Sequence, residues 1–255
     1  MQSVSHRLLV PALLFLMATV QATAHADVGA AIAAAMESDT RTATEKARDR
    51  NRKPAETLEF FRLHDDMRVL ELVPGGAWYT KLLAPVLATN GKLLVALGTQ
   101  GVERLQERGA LTSVEIVEVD GNFTPAEGTR RFDLPGLRMH TSNIDLVLTF
   151  RNLHNFTPDG RQALNTEAFR VLNSGGYYGV VDHTRRHMQP DDNENWRRMD
   201  PVAMIKEIEA VGFEFVDYSN LHHRYDDELV YEVGRRSVSG NTDRFTLLFR
   251  KPETR

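Results

Sequence analysis

Val69-Leu70-Glu71-Leu72-Val73, followed directly by Pro74-Gly75-Gly76, is the stretch that decides the fold. A short and almost wholly apolar run is typical of a strand buried on both faces, and the proline–glycine–glycine sequence predicts a tight turn. From residue 78 to residue 87 the apolar residues then recur at helical spacing. A strand that passes through a turn into a helix is the repeating unit of a parallel sheet.

The alternation of strand and helix continues along the rest of the chain. Further strands are predicted at residues 92–97, 114–119, 144–150, 177–181, 213–218 and 245–249. Further helices are predicted from residue 54 and at residues 100–108, 161–172 and 201–211. Parallel crossovers place helices on both faces of a sheet, whereas the polar segment before the last strand shows no helical crossover. The sequence therefore predicts an α/β fold with a mostly parallel seven-stranded sheet and an antiparallel last strand.

The first residues have the pattern of a secretory signal peptide, which we assign to residues 1–26. An apolar run at residues 8–20 follows Arg7, and Ala24-His25-Ala26 supplies a small-x-small cleavage site. The alternative is an uncleaved membrane anchor. We expect export to the periplasm and no membrane span after the leader is removed. Residues 27–53 predict a charged N-terminal helical extension, and residues 54–255 form the main domain.

Composition excludes several classes of function. The chain of 255 residues has no cysteine, 31 Lys and Arg residues against 35 Asp and Glu residues, and 42% hydrophobic residues. Without cysteine it has no thiol nucleophile, no iron–sulfur cluster and no zinc-thiolate site. A net charge of −4 disfavours a nucleic-acid partner, because such proteins usually carry a basic excess. We expect a small-molecule partner, and no pattern indicates an oligomeric state.

The strand, acidic residue and glycine turn at residues 69–80 resemble the first motif of class I S-adenosylmethionine-dependent methyltransferases. More narrowly, the chain is similar to a bacterial group of predicted methyltransferases with leader peptides. The stretches that carry this likeness are Ala47-Arg48-Asp49, Arg52-Lys53-Pro54-Ala55-Glu56, Arg151-Asn152-Leu153-His154-Asn155-Phe156 and Gly240-Asn241-Thr242-Asp243. The resemblance covers residues 41–252. It implies a Rossmann-like class I methyltransferase fold, S-adenosylmethionine as cofactor, and methyl transfer to a small-molecule acceptor.

The resemblance places the cofactor beyond the carboxyl ends of the strands, where open parallel sheets bind their ligands. Gly75 and Gly76 would let the backbone pass close to the ligand, because a side chain there would block the approach. The Glu71 carboxylate would face the ammonium group of the cofactor. The cofactor-binding residues implied are Glu71, Val73, Gly75, Gly76, Tyr79, Gly98, Asp120, Asn122 and Arg151. An ordinary strand-to-helix turn remains the alternative for the glycine stretch.

Two features depart from the class I pattern. Val73 stands where the class has a glycine. The second strand runs into Gly98-Thr99-Gln100 without the usual ribose-binding carboxylate, so that contact would fall to these residues or to the backbone. After the third strand, Asp120 and Asn122 fit the position that contacts the adenine edge, beside the ring of Phe123. The alternative for Asp120 is a helix cap or a turn.

Polar residues after the fourth and fifth strands predict the acceptor site. His154 is the candidate catalytic base, because an imidazole titrates near neutral pH, and Asp182 is the second catalytic candidate. Asn152, Asn155 and His183 are the candidate substrate-binding residues. The alternative for His154 is a buried, hydrogen-bonded structural histidine. Methyl transfer depends largely on alignment, so a dedicated base is not obligatory.

Histidines also suggest metal binding, but the pattern is incomplete. His183 and His187 are four residues apart, and a later segment contains His222, His223, Asp226 and Asp227. Neither stretch predicts a firm helix, and no third ligand is indicated. We therefore expect solvated loops and no metal site.

Three functions stay open on the sequence alone. The first is an exported methyltransferase. The second is a non-catalytic ligand-binding protein that reuses the methyltransferase fold outside the cytoplasm, and the missing second-strand carboxylate motivates it. The third is a nicotinamide-dependent oxidoreductase, which the spacing of the first turn and the antiparallel last strand disfavour.

Overall fold

The computed structural model describes residues 28–253, so the predicted signal peptide lies outside the described residues. The strands in chain order are β1 Arg68–Leu72, β2 Lys92–Ala96, β3 Glu115–Ile116, β4 Val119–Asp120, β5 Thr124–Pro125, β6 Phe132–Asp133, β7 Arg138–Met139, β8 Ile144–Phe150, β9 Leu172–His183, β10 Glu214–Ser219 and β11 Arg244–Arg250. The helices are α1 Val28–Glu37, α2 Ala43–Lys46, α3 Asp49–Arg52, α4 Pro54–Phe60, α5 Thr80–Leu87, α6 Gln100–Gln106, α7 Pro158–Val171 and α8 Pro201–Glu209, with a 3₁₀ turn at Leu153–Asn155. None of these described helices is long and apolar enough to cross a membrane.

Seven strands form one sheet in the order β3-β2-β1-β8-β9-β11-β10. The run from β3 to β9 is parallel, and β11 is antiparallel to both of its neighbours, β9 and β10. In the register of the central strand, Leu70 pairs with Leu94 on β2 and with Val147 on β8. The prediction of a mostly parallel seven-stranded sheet with an antiparallel last strand is confirmed.

Helices cover both faces of this sheet, which explains the continuous apolar runs. Successive residues of a strand point to opposite faces, so Val69 and Leu70 enter different cores. Leu70 and Leu94 belong to the core shared with α7 and α8. Val69 and Val95 belong to the core shared with α1, α4 and α5. The residues before the sheet are thus part of the packed structure, since Ile32 of α1 is buried in the second core.

Two strands differ from their predicted bounds for identifiable reasons. The predicted strand at 114–119 is split: β3 pairs with β2 at the sheet edge, and β4 leaves the sheet to pair with β7. An edge strand has one neighbour to hold it, so its hydrophobic pattern does not determine where it ends. Strand β9 extends beyond the predicted 177–181, because β11 pairs with it as far as the contact between Arg244 and His183.

Segments 184–200 and 220–243 contain buried polar contacts, so the expectation of solvated loops is wrong for His183, His222 and Asp227, whereas His187, His223 and Asp226 are exposed as expected. His222 is 1% exposed and donates from Nε2 to the carbonyl of Arg52 at 2.9 Å. Arg198 and Asp227 are joined by two hydrogen bonds of 2.9 Å with both side chains fully buried. The sequence could not show this, because a buried ion pair depends on a partner far along the chain.

Candidate functional site

The turn after β1 has the backbone conformation expected beside a ligand. Val73, Gly75 and Ala77 have φ values of 54°, 55° and 62°. A left-handed conformation is unfavourable for a β-branched residue, so Val73 is strained, and strain of this kind clusters at functional sites. An added Cβ at Gly75 or Gly76 would meet no atom within 4 Å. The turn therefore borders open space that a side chain would occupy.

This open space is a cavity of about 220 Å³ at the carboxyl ends of β1 and β8, here called the glycine-turn cavity. Of the residues predicted to bind cofactor or substrate, it brings together Glu71, Val73, Gly75, Gly76, Tyr79, Arg151 and Asn152. It also contains residues that sequence reasoning had not assigned to the site, namely Glu45, Arg48, Arg52, Trp78 and Phe150. Arg48 and Arg52 lie in stretches that carried the family resemblance, which was the only signal for them.

Glu71 is a buried carboxylate at the end of β1. It is 3% exposed, and its Oε2 accepts a hydrogen bond of 2.6 Å from the Thr80 hydroxyl. Burial raises the pKa of Glu71 to about 7, while the hydrogen bond from Thr80 and the nearby charge of Arg52 act in the opposite direction. A cationic group bound next to Glu71 would favour its ionised form.

Glu71→Gln is expected to stabilise the ligand-free protein at alkaline pH. The folded pKa of about 7 lies above the unfolded value of 4.5, so wild-type stability falls as pH rises from the lower to the higher value. This difference corresponds to about 3 kcal/mol, so the variant should be more stable by roughly that amount at about pH 8 and nearly equal at about pH 4. Denaturant unfolding at both pH values measures it, with the exposed Glu59→Gln as control. An equal effect of Glu71→Gln at both pH values would contradict the assignment.

Aromatic rings form one wall of the glycine-turn cavity. The Tyr79 ring stacks on Phe150 with centroids 3.5 Å apart and planes 9° apart. The Arg52 guanidinium lies over Trp78 at 4.2 Å from the ring centroid. Stacking of this kind holds the wall in one arrangement, and the guanidinium brings a positive charge to its edge.

The remaining predicted cofactor residues lie outside this cavity. Gly98 adjoins the cavity residue Val73, since its added Cβ would lie 3.4 Å from Val73 Cγ1. Asp120 is an exposed residue of β4 that binds His140 Nε2 at 2.8 Å, and Asn122 is exposed in the following loop. Near the end of β2, the Thr99 hydroxyl donates to Glu103 at 2.6 Å. Glu103 is an exposed residue of α6, so β2 itself ends without a carboxylate.

Close packing of the glycine turn on α6 gives a matched pair of predictions. An added Cβ at Gly101 would lie 1.9 Å from the backbone oxygen of Gly75, whereas one at Gly76 would meet open space. Gly101→Ala should lower the free energy of unfolding by on the order of 1–3 kcal/mol, because the added methyl group would overlap the glycine-turn backbone and force it to move. This cost should exceed the gain from the higher helix propensity of alanine. Gly76→Ala should leave stability nearly unchanged. Thermal unfolding of both variants checks this, and equal melting temperatures would contradict the packing.

The residues after β8 and β9 form a second constellation. Asp182 is fully buried and its Oδ1 accepts from His154 Nδ1 at 2.6 Å, while Oδ2 accepts from the His154 backbone N–H at 3.2 Å. Asn152 donates from Nδ2 to the carbonyl oxygens of Leu72 and Val73 at 3.3 and 3.2 Å. Asn155 lies in the 3₁₀ turn. His154 is 5% exposed and lines neither the glycine-turn cavity nor the cavity described next.

His183 lines a second cavity of about 490 Å³, here called the arginine cavity, beside the glycine-turn cavity. Its Nδ1 is hydrogen-bonded to the Thr242 hydroxyl at 2.8 Å. Burial, and then the positive charge of Arg244, hold the pKa of His183 well below its usual value. Six arginines line this cavity: Arg48, Arg50, Arg52, Arg151, Arg197 and Arg244. Among residues 28–253, no group of three or more His, Asp or Glu side chains is placed to hold a metal ion.

Structural comparison finds solved structures of similar fold. A SAM-dependent methyltransferase from Aquifex aeolicus superposes with a TM-score of 0.55 at 16% identity, over 80% of this chain and 93% of that chain. The [4+2]-cyclase SpnF has a TM-score of 0.55 at 17% identity, over 86% of each chain. The chain has the class I methyltransferase fold.

A third similar structure is human N-acetylserotonin methyltransferase in complex with SAM, with a TM-score of 0.51 at 14% identity, over 88% of this chain and 56% of that chain. No protein-family model matches the sequence, and no curated protein matches it. Identities this low establish the fold alone, and a cyclase stands beside methyltransferases among these structures. Function therefore has to be argued from the site.

Proposed function

We propose that the chain transfers the sulfonium methyl group of S-adenosylmethionine to a small-molecule acceptor. The observation that carries this proposal is the glycine-turn cavity, in which a buried acid, an open glycine turn and an aromatic wall meet at the carboxyl ends of β1 and β8. Ligands in open α/β sheets bind at this edge. The class I fold supplies the same location for the cofactor.

The residues present fit the amino-acid end of S-adenosylmethionine. Gly75 and Gly76 leave room against the backbone, and Glu71 is a buried acid that a ligand ammonium group would help to ionise. Arg48, Arg52 or Arg151 would face the ligand carboxylate. The cofactor supplies an electrophilic methyl group when bound. Gly98 and Thr99 follow β2, where the ribose contact would fall without the usual second-strand carboxylate.

Orientation and proton removal are the contributions of the chain's own residues. His183 lines the arginine cavity next to the proposed cofactor site, and among the described residues only its Nδ1 has a hydrogen-bond partner. Its Nε2 is therefore the atom we assign to accept the proton that leaves an acceptor O–H or N–H group. Neither Asp182 nor His154 lines the arginine cavity, and Asp182 Oδ1 accepts from the His183 backbone N–H at 2.7 Å. That contact makes Asp182 and His154 positioning residues for His183.

The second candidate function is a non-catalytic ligand-binding protein. The observation that favours it is the second strand, which ends in Gly98 and Thr99 without a carboxylate, while Val73 occupies a glycine position of the first turn. Both candidate functions use the same cavity, but only the enzyme would transfer a methyl group to an acceptor.

We also propose that the protein is exported, most simply to the periplasm. The leader pattern at residues 1–26 supports this. A reporter enzyme fused after residue 30 and followed by cell fractionation tests it, and a reporter that stays in the cytoplasm would overturn it.

Methyl-label transfer separates the two candidate functions. The full chain is incubated with methyl-labelled S-adenosylmethionine and pools of small acceptors grouped by charge. The methyltransferase proposal predicts label in a product of at least one pool and equimolar S-adenosylhomocysteine. Cofactor binding without label in any pool, including a cell extract, would favour the binding protein.

A further inference from the structure

The arginine cavity gathers positive charge that the protein itself does not neutralise. No Asp or Glu side chain lines it. Arg197 forms an ion pair with Glu232. The other five arginines of the cavity make no ion pair with any residue between 28 and 253. Clustered arginines without acidic partners are the arrangement that proteins use to bind carboxylates and phosphates.

Arg244 is built into this site and is not a surface side chain. It is 6% exposed and lies opposite His183 in the β9–β11 ladder. Its Nη1 donates to the carbonyl of Asn51 at 3.0 Å. Its Nε is buried and has no hydrogen-bond partner among the described residues. A buried donor without a partner is costly, so the protein holds the Arg244 guanidinium at this cavity at the expense of stability.

Repulsion between the arginine side chains of the cavity also indicates a site for an anion. Burial, and then the charge of Arg151, lower the pKa of Arg52 to about 9 and the pKa of Arg244 to about 10. Tyr79 and then Asp182 act against this effect on Arg151 and Arg244, and Asp182 is already engaged with His154. The cavity thus holds several desolvated cations together, and a bound anion would relieve their repulsion.

The cavity is also placed correctly for an acceptor. Arg48, Arg52 and Arg151 line both cavities, so an anion held by Arg50 and Arg244 on the far side of them would lie next to the proposed cofactor site. His183 lines the same cavity. Three stretches distant in sequence meet there, around Arg48, Arg151 and Gly240. A volume of about 490 Å³ suits a small molecule.

We propose that the arginine cavity binds a small anion, a carboxylate or a phosphate group, and that this group belongs to the methyl acceptor. Assignment of the anion to the acceptor rests on the proposed function, whereas the anion site itself does not. The acceptor would be held by its anionic group at the arginines, with its reacting O–H or N–H group directed to His183.

Calorimetric titration of the full chain with inorganic phosphate and, separately, with acetate tests the site at constant ionic strength. Arg244→Gln removes the buried donor, and Arg50→Gln removes an exposed one that does not threaten folding. Arg104→Gln, on the exposed side of α6, is the matched control. We expect Arg244→Gln to weaken binding of the preferred anion by about tenfold or more and Arg50→Gln by about threefold, because hydrogen bonds to charged groups are strong. Comparing the two anions identifies which group the site prefers.

Titration of the same variants with S-adenosylhomocysteine separates this proposal from the proposed function. The anion site is supported if phosphate or acetate binds, and if affinity falls in both cavity variants but not in Arg104→Gln. It is overturned if neither anion binds at millimolar concentration or if the control weakens binding as much as Arg244→Gln. Anion binding without S-adenosylhomocysteine binding would keep the site and refute methyl transfer. Binding of S-adenosylhomocysteine without anion binding would keep the proposed cofactor site and refute the anion site.

Discussion

Replacing Asp227 by alanine is expected to lower the free energy of unfolding by about 3–5 kcal/mol, the range for removing one partner of a buried ion pair. Arg198 would then be left charged and without its carboxylate partner inside the protein. Asp227 also accepts backbone hydrogen bonds from Leu229 and Asp243 at 3.1 and 2.6 Å. Denaturant unfolding of the wild type and the variant measures the difference.

Asp227→Ala should also disturb the arginine cavity, because the Arg198–Asp227 ion pair joins two segments that lie beside this cavity. Arg198 donates to the carbonyl oxygens of Thr184 and Tyr231 as well as to Asp227. The double variant Arg198→Met/Asp227→Leu removes both charges and should recover much of the lost stability. A loss of less than about 1 kcal/mol in Asp227→Ala would show that the pair is solvated, as exposed pairs contribute only that much.

His183→Ala is expected to lower the turnover of the methyl-transfer reaction by about 10²–10⁴-fold, the usual contribution of a positioned base. S-adenosylhomocysteine affinity should stay nearly unchanged, because His183 does not line the glycine-turn cavity. His187→Ala is the matched control, since its side chain is 57% exposed and bound to Asp200. Steady-state kinetics and a binding titration on each variant make the comparison.

The pH dependence of turnover supplies a second test of His183. Its pKa lies well below 6.5, so the imidazole is neutral and able to accept a proton throughout the neutral range. Activity that depends on this base should therefore fall only on the acid side of about pH 6.5, as the imidazole becomes protonated. Unchanged turnover in His183→Ala would contradict the assignment and return His154 to consideration.

The fold could be predicted because its signals are local. The apolar run at residues 69–73, the glycine turn after it and the recurring alternation predicted the parallel sheet, and the missing crossover predicted the antiparallel last strand. The bounds of β3 and β9 could not be obtained in this way. They depend on how far β2 and β11 pair with them, which is a property of the neighbouring strand and not of the segment itself.

The site residues could be predicted only where one stretch of sequence supplies both the turn and the side chains that line the cavity. Glu71, Gly75 and Gly76 follow one strand, and they meet in one cavity. The arginine cavity instead joins Arg48, Arg151 and Arg244, which are separated by about 100 residues each. Composition did not reveal this local positive charge, because the whole chain has a net charge of −4. Asp120 and Asn122 lie outside both cavities, so their assignment to the adenine edge stays a prediction.

Calorimetric titration of the full chain with S-adenosylmethionine and S-adenosylhomocysteine tests the central claim most directly. The glycine-turn cavity should bind both ligands with one site per chain, and Gly76→Ala should weaken binding while preserving stability. Proton release should accompany binding at about pH 6–7, because a ligand ammonium group ionises Glu71. Absence of binding at millimolar ligand by the folded protein would contradict the claim that this cavity is a cofactor site.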